Sequence, residues 1–172
     1  MPRVRTMIVV LAAAVAIASG TAIAQTAPKA KPAAKPAAAA AKHVIVAPSD
    51  VKWGPGPASL PPGAQMAVLD GDPGKAGMPF VIRAKFPDGY KVAPHWHPTD
   101  ENVVVLSGTF MVGTGDKFDE KAMTSLPAGG FVRMPKMMHH YAAGKGETII
   151  QVHGVGPFAV HYVNPKDDPS KK

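Results

Sequence analysis

The chain has 172 residues, 46% of them hydrophobic, no cysteine and a formal net charge of +7. That length allows one domain with one core, and the missing cysteine excludes disulfides, thiolate metal ligands and cysteine nucleophiles. Six of the nineteen basic residues (Arg3, Arg5, Lys29, Lys31, Lys35 and Lys42) precede any acidic one; from His43 onward thirteen basic residues face twelve acidic. That near-neutral balance, with no basic face interleaved by aromatics, argues against nucleic acid as a partner.

The N-terminus, "MPRVRTMIVVLAAAVAIASGTAIAQ", places two arginines before an uncharged apolar run and small residues before Gln25. This is the layout of a secretory signal peptide over residues 1–24, cleaved between Ala24 and Gln25. Its apolar core, Met7 to Ala18, is short of the roughly 20 residues a membrane span needs, so no stable membrane insertion is expected after cleavage. An uncleaved anchor is the alternative, because the uncharged stretch continues to Ala24. The expected location is the periplasm or the exterior. Residues 25–42, Ala-, Pro- and Lys-rich, contain nothing to bury and read as a disordered linker.

The folded domain is expected over residues 43–165, followed by a charged tail at 166–172. "HVIVAP" has strand composition, and "WGPGPASLPPGAQ" is a loop dense in proline and glycine. Short strand-like runs follow: "QMAVL", "PFVIRAKF", "ENVVVLSGTFMVG", "GGFVRM", "HHYAA", "TIIQVHG" and "FAVHYV". Turn-rich segments separate them, a spacing that predicts an all-β sandwich or barrel. The one helical candidate, "KFDEKAMTSL", has the length of a turn.

Chemistry concentrates in "GYKVAPHWHPTDENVVVLSG". Residues i and i+2 of a strand share a face, so His95 and His97 point the same way. Pro98-Thr99-Asp100 allows a turn that returns Glu101 to that face. Two imidazoles and a carboxylate so grouped suit a divalent first-row transition metal. The bland alternative is a half-exposed strand whose histidines and glutamate are merely solvated.

The spacing runs Gly89, five residues, His95, one, His97, three, Glu101, six, Gly108. Downstream, "GGFVRMPKMMHHYAAG" gives Gly129, five residues, Pro135, then His140. These stretches resemble the two motifs of the cupin superfamily, G(X)5HXH(X)3–4E(X)6G and G(X)5PXGX2HX3N. The first motif is matched at every specified position. The second departs from the pattern at Met137, in place of glycine, and at Gly144, in place of asparagine.

The resemblance implies a double-stranded β-helix of the jelly-roll class. By position it implies that His95, His97, Glu101 and His140 hold one divalent transition metal: Fe, Mn, Zn, Ni or Cu. His139, next to the motif histidine, faces the other way and reads as a rim or solvated residue. Tyr141 and His153 on late strands are the candidates for proton handling, with His161 and Tyr162 as further residues that could face in. Arg83 and Lys85 read as a solvated face, and Met111, Met123, Met134, Met137 and Met138 as core filler.

Cupins include metal-dependent dioxygenases and isomerases as well as sensor and storage modules, so fold does not decide function. The resemblance implies a small-molecule metalloenzyme, dioxygenase- or isomerase-like. The alternative is a module that binds metal or a small ligand without turnover. A homodimer is an expectation by analogy alone.

Overall fold

The computed structural model describes residues 43–172. The expected signal peptide and linker lie outside the described residues. Among those described, no helix is long and apolar enough to cross a membrane.

Among the described residues, nine strands follow one another. They are β1 (Gly54–Pro55), β2 (Gln65–Gly71), β3 (Pro79–Phe86), β4 (Lys91–Trp96), β5 (Glu101–Thr114), β6 (Thr124–Pro127), β7 (Phe131–Met134), β8 (His140–Val155) and β9 (His161–Tyr162). Every pairing is antiparallel. The all-β expectation therefore holds.

Two long strands organise the fold. β8 pairs with β5 along most of its length, from Asn102↔His153 to Thr114↔His140. On its other edge β8 changes partner, pairing with β4 through its first residues and with β3 from Thr148 onward. β5 does the same, taking β7 near Glu101 and β6 near Thr109–Val112. The result is one curled sheet with two halves, β1-β2-β3-β8-β5-β7 and β9-β4-β8-β5-β6. β5 and β8 serve both halves.

Bending a paired strand this way needs breaks in the ladder. β5 shifts register on either side of Ser107, and Gly108 takes a left-handed φ of 70°. Opposite this bend, the Thr148 hydroxyl is fully buried and donates within reach of the Gly146 and Thr109 carbonyls, at 3.0 and 3.2 Å.

Inside lies a core of alternating strand residues. β3 shows the alternation clearly, with Phe80, Ile82, Ala84 and Phe86 buried and Val81, Arg83 and Lys85 only partly so. Arg83 Nε donates to Gln151 Oε1 at 3.0 Å, and Lys85 Nζ lies 4.9 Å over the Trp53 ring. Both cations thus lie on the outer face, as strand parity predicts.

Several local readings are corrected. "HVIVAP" forms no strand: Ile45 is 82% exposed, and β composition without a partner strand makes no ladder. "HHYAA" and "TIIQVHG" are not separate strands; from His140 they form one bent strand, β8, because the pairing to β5 resumes on either side of the register shift at Gly146, which takes a left-handed φ of 71°. "KFDEKAMTSL" holds a single 3-10 turn, Glu120–Ala122, capped by Asp119, and then enters β6. The charged tail folds into two more such turns, Pro165–Asp167 and Pro169–Lys171.

The methionines divide as well. Met134 is a core residue and Met138 packs against the core, whereas Met137 is 57% exposed and fills nothing. Met137 nevertheless keeps the left-handed backbone of the glycine that the motif specifies, with φ 65°. Its N–H donates to the His97 carbonyl at 2.9 Å, so the turn before β8 is tied to a site histidine. Left-handed backbone costs a side chain about 1 kcal/mol. Met137→Gly should therefore raise stability by about 0.5–1 kcal/mol in urea denaturation; a loss would show that the methionine side chain contributes contacts that outweigh the strain.

Candidate metal centre

Two strands bring the three histidines together. His95 lies in β4 directly opposite His140, the first residue of β8, and His97 follows one residue beyond the end of β4. His95, His97 and His140 are 5%, 4% and 2% exposed. Their ring centroids are 4.2 Å (His95–His140), 5.1 Å (His95–His97) and 5.2 Å (His97–His140) apart. One nitrogen from each falls within 4.8 Å of the others.

The opposite nitrogen of each ring fixes its protonation. His95 Nδ1 lies 2.8 Å from the Ala93 carbonyl, His97 Nδ1 2.8 Å from the Ala159 carbonyl, and His140 Nδ1 2.9 Å from the Met138 carbonyl. A carbonyl oxygen only accepts, so each Nδ1 carries the proton and donates it. In the neutral ring, Nε2 is then a bare lone pair. Backbone carbonyls holding Nδ1–H are a common means of orienting metal-binding histidines.

Glu101 opens β5, held there by its pairing with Met134 of β7. Its Oε2 approaches His97 Nε2 at 3.3 Å and His140 Nε2 at 3.4 Å. Neither nitrogen has a hydrogen-bond partner; among described residues the one other buried side-chain polar atom so left is Thr99 Oγ1, in the intervening turn. Acceptors facing acceptors in a buried space repel unless a proton or a cation stands between them. The donor set of three imidazoles and one carboxylate suits a divalent transition metal. The residues present fit that group.

Burial pushes the Glu101 carboxyl up, but where a proton stands between the groups in place of a cation, hydrogen bonds from His140 and His97 outweigh burial and hold it well below the usual carboxylate range. The His95 imidazole is pushed down to about 3 by burial, with His140 and His97 adding to the effect. At neutral pH His95 is therefore neutral and free to act as a ligand.

Both shifts make stability depend on pH in the same direction. Unfolded His95 takes a proton below its ordinary value of 6.5, while in the fold it stays neutral down to about 3. Unfolded Glu101 likewise binds a proton more readily than the folded residue does. Both contributions are present at neutral pH and are lost on acidification. Metal-free protein should lose on the order of 3–5 kcal/mol between pH 6.5 and 3, measurable by denaturant titration at stepped pH; stability flat over that window would contradict a buried neutral His95.

A cavity of about 260 Å³ opens onto the three histidines and Glu101. Strand residues such as Ile82, Phe110, Ile150 and Val152 form its floor and walls. The segment before β9 and the Pro/Gly-rich loop after β1 supply Phe158, Val160, Pro57 and Leu60. Phe158 also stacks on His97, with centroids 4.3 Å apart. Two buried tyrosines tether the loop: Tyr162 donates its hydroxyl to Ser59 O at 2.8 Å, and Tyr90 donates to Pro61 O. Burial and the nearby Asp168 and Asp167 push the Tyr162 phenol up to about 12, so it remains a donor.

The remaining polar residues that the sequence singles out fall elsewhere. Tyr141 follows His140 on the strand and so faces away from it, packing on Phe118 and donating to the Asp119 carbonyl at 3.1 Å. His153 is on the outer face of β8, 3.0 Å from the Gln151 side-chain amide. Neither lines the cavity. His139 is drawn to the surface by Asp116 at 2.6 Å, and His161 is exposed and stacked on Trp96. Strand parity separates each of these from the site. Phe158, Val160 and Leu60 carry no such signal in the sequence. Phe158 and Val160 lie in "FAVHYV", read as a strand but paired only at His161–Tyr162, and Leu60 comes from a loop without periodicity whose proline and glycine density is the one hint available.

A family model described as the ChrR cupin-like domain matches residues 41–159. The chain belongs to this cupin family. Among curated proteins, none matches it. Solved structures with the same fold include the polyketide cyclase RemF from Streptomyces resistomycificus, 18% identical, with a TM-score of 0.57 over 76% of this chain and 92% of that one. A candidate acetylacetone dioxygenase from Methylibium petroleiphilum PM1 is 19% identical, with a TM-score of 0.58 over 77% and 88%. An RmlC-like cupin from Shewanella frigidimarina NCIMB 400 is 18% identical, with a TM-score of 0.51 over 68% and 94%. At these identities the likeness is one of fold. Within this cupin barrel, three buried histidines form a candidate metal site.

Proposed function

We propose that this cupin is an exported metalloenzyme acting on a small molecule, with His95, His97, His140 and Glu101 as the ligands of one divalent transition metal. The observation that carries the reading is the set of three Nδ1–H groups held by carbonyls. They turn three Nε2 lone pairs toward one point beside a carboxylate. A metal bound there would supply Lewis acidity, or oxygen activation if it were iron(II).

The chain's own residues orient the donors and exclude water. Phe158 covers one face of His97, and the loop tethered by Tyr162 and Tyr90 covers the cavity. Besides the four ligands, Ser59 is the one polar side chain that the described residues contribute to the lining. With no further acid or base to shuttle protons, the lining favours a dioxygenase-like reaction over an isomerase-like one. The same observation favours a second reading, a module that binds without turnover.

Metal analysis of the purified protein is the first test, with about one divalent metal per chain expected. Oxygen uptake with small diketones and catechols, abolished by chelator and restored by metal, would support the enzyme. Stoichiometric metal with no uptake under any loading would support the binding module. Export belongs to the same proposal: N-terminal sequencing of the mature protein should begin at Gln25, and an intact Met1 would overturn it.

A further inference from the structure

Strand pairing sets three of the four ligands. His95 and His140 lie opposite one another across β4 and β8, and Glu101 pairs with Met134 across β5 and β7. His97 lies one residue beyond the end of β4 and takes its place from residues distant in the chain. The Ala159 carbonyl holds its ring, and its own carbonyl accepts from the Met137 N–H at 2.9 Å. Met137 belongs to the turn between β7 and β8, so the position of His97 depends on where that turn sits.

Asp100 holds that turn. It lies between His97 and Glu101, and its Oδ1 accepts from the Lys136 N–H at 2.8 Å, one residue before Met137. Its Oδ2 accepts from Arg133, near the end of β7, with Nε at 3.2 Å and Nη2 at 2.7 Å. The two oxygens of one carboxylate thus join the segment between two ligands to the turn that leads into a third.

Magnitudes separate a folding role from a positioning one. The Asp100 and Arg133 side chains are 39% and 56% exposed, and an ion pair so exposed contributes little to folding. A metal demands more, since its donors must be held within about 0.5 Å of the productive geometry. Groups that orient metal ligands from outside carry about 10- to 100-fold in affinity. Resting on the metal reading above, we propose that Asp100 is a positioning residue for the metal, acting on His97 through the Lys136–Met137 backbone.

The test uses full-length protein and cobalt(II), whose visible absorption reports the geometry of its ligands. Asp100→Ala should lower cobalt affinity about 10- to 100-fold and shift the visible band. Its urea midpoint without metal should fall by less than about 1 M, as for an exposed pair. Asp100→Asn keeps an oxygen for the Lys136 N–H and should restore affinity to within about threefold of the parent protein. Arg133→Ala leaves that oxygen in place and should lose no more than about fivefold.

Unchanged affinity and an unshifted band in Asp100→Ala would overturn the proposal while leaving the metal reading intact. Equal losses in Asp100→Ala and Asp100→Asn would overturn it too, because the Lys136 N–H would then not be the link. A larger fall in the urea midpoint, or failure to fold, would assign Asp100 to folding and overturn it as well. Parent protein that takes no cobalt would sink the metal reading instead. Hydrogen exchange on metal-free protein then decides the hold on His97 separately. The Met137 amide should exchange about tenfold faster in Asp100→Ala, and unchanged exchange would overturn it.

Discussion

His140→Ala should abolish stoichiometric metal binding. His140 supplies one of three converging nitrogens, and its Nε2 has no other partner. Loss of an outer-shell residue around a metal lowers affinity about 10- to 100-fold, so loss of a direct ligand should cost at least about 100-fold. The stabilisation conferred by metal should go with it: about 2.7 kcal/mol at a metal concentration 100 times the Kd. Metal content after dialysis, and unfolding midpoints with and without metal, measure the two effects. His139→Ala and His153→Ala are the matched controls, because one side chain is paired with Asp116 at the surface and the other with Gln151. Both should retain metal. If His139→Ala lost metal as His140→Ala does, the ligand assignment on this strand would be wrong.

The second large effect is expected at Gly108. Its φ is 70°, and a Cβ there would lie 2.4 Å from the Glu147 carbonyl oxygen and 2.8 Å from Thr148 Cα. Both contacts are backbone, which cannot swing aside. Gly89 has nearly the same φ, 71°, yet a Cβ there would meet nothing within 4 Å. The pair therefore separates strain from collision. Gly89→Ala should cost about 1 kcal/mol through the left-handed backbone alone. Gly108→Ala adds steric displacement of β8 and should cost about 3 kcal/mol or more. Urea denaturation of both variants measures the difference. Equal losses would show that the β5–β8 approach at the bend yields easily.

These two glycines show how far the sequence could be read. Both stand at ends of the first motif, and their left-handed backbones mark a turn and a bend. The motif spacing thus carried both the barrel and the position of the histidines. Met137 shows the limit of reading by residue type: a methionine stands where the motif has glycine, yet the backbone stays left-handed because its N–H is held by the His97 carbonyl.

By itself the sequence determined what local periodicity can encode. Alternation on β3 put Arg83 and Lys85 outside, and the i, i+2 spacing put His95 and His97 on one face. The departures came from contacts distant in the chain. "HVIVAP" has strand composition but no partner, and "HHYAA" joins "TIIQVHG" because β5 pairs with both. Tertiary structure alone decided which nitrogen of His97 carries the proton, since the carbonyl holding it belongs to Ala159, far along the chain, whereas His95 and His140 are held by carbonyls two residues before them. It also put His153 outside the cavity and brought in Phe158 and Leu60, whereas parity with His140 already turns Tyr141 away. Strand parity says that a side chain faces one side or the other; only the closing of the sheet says which side is inside.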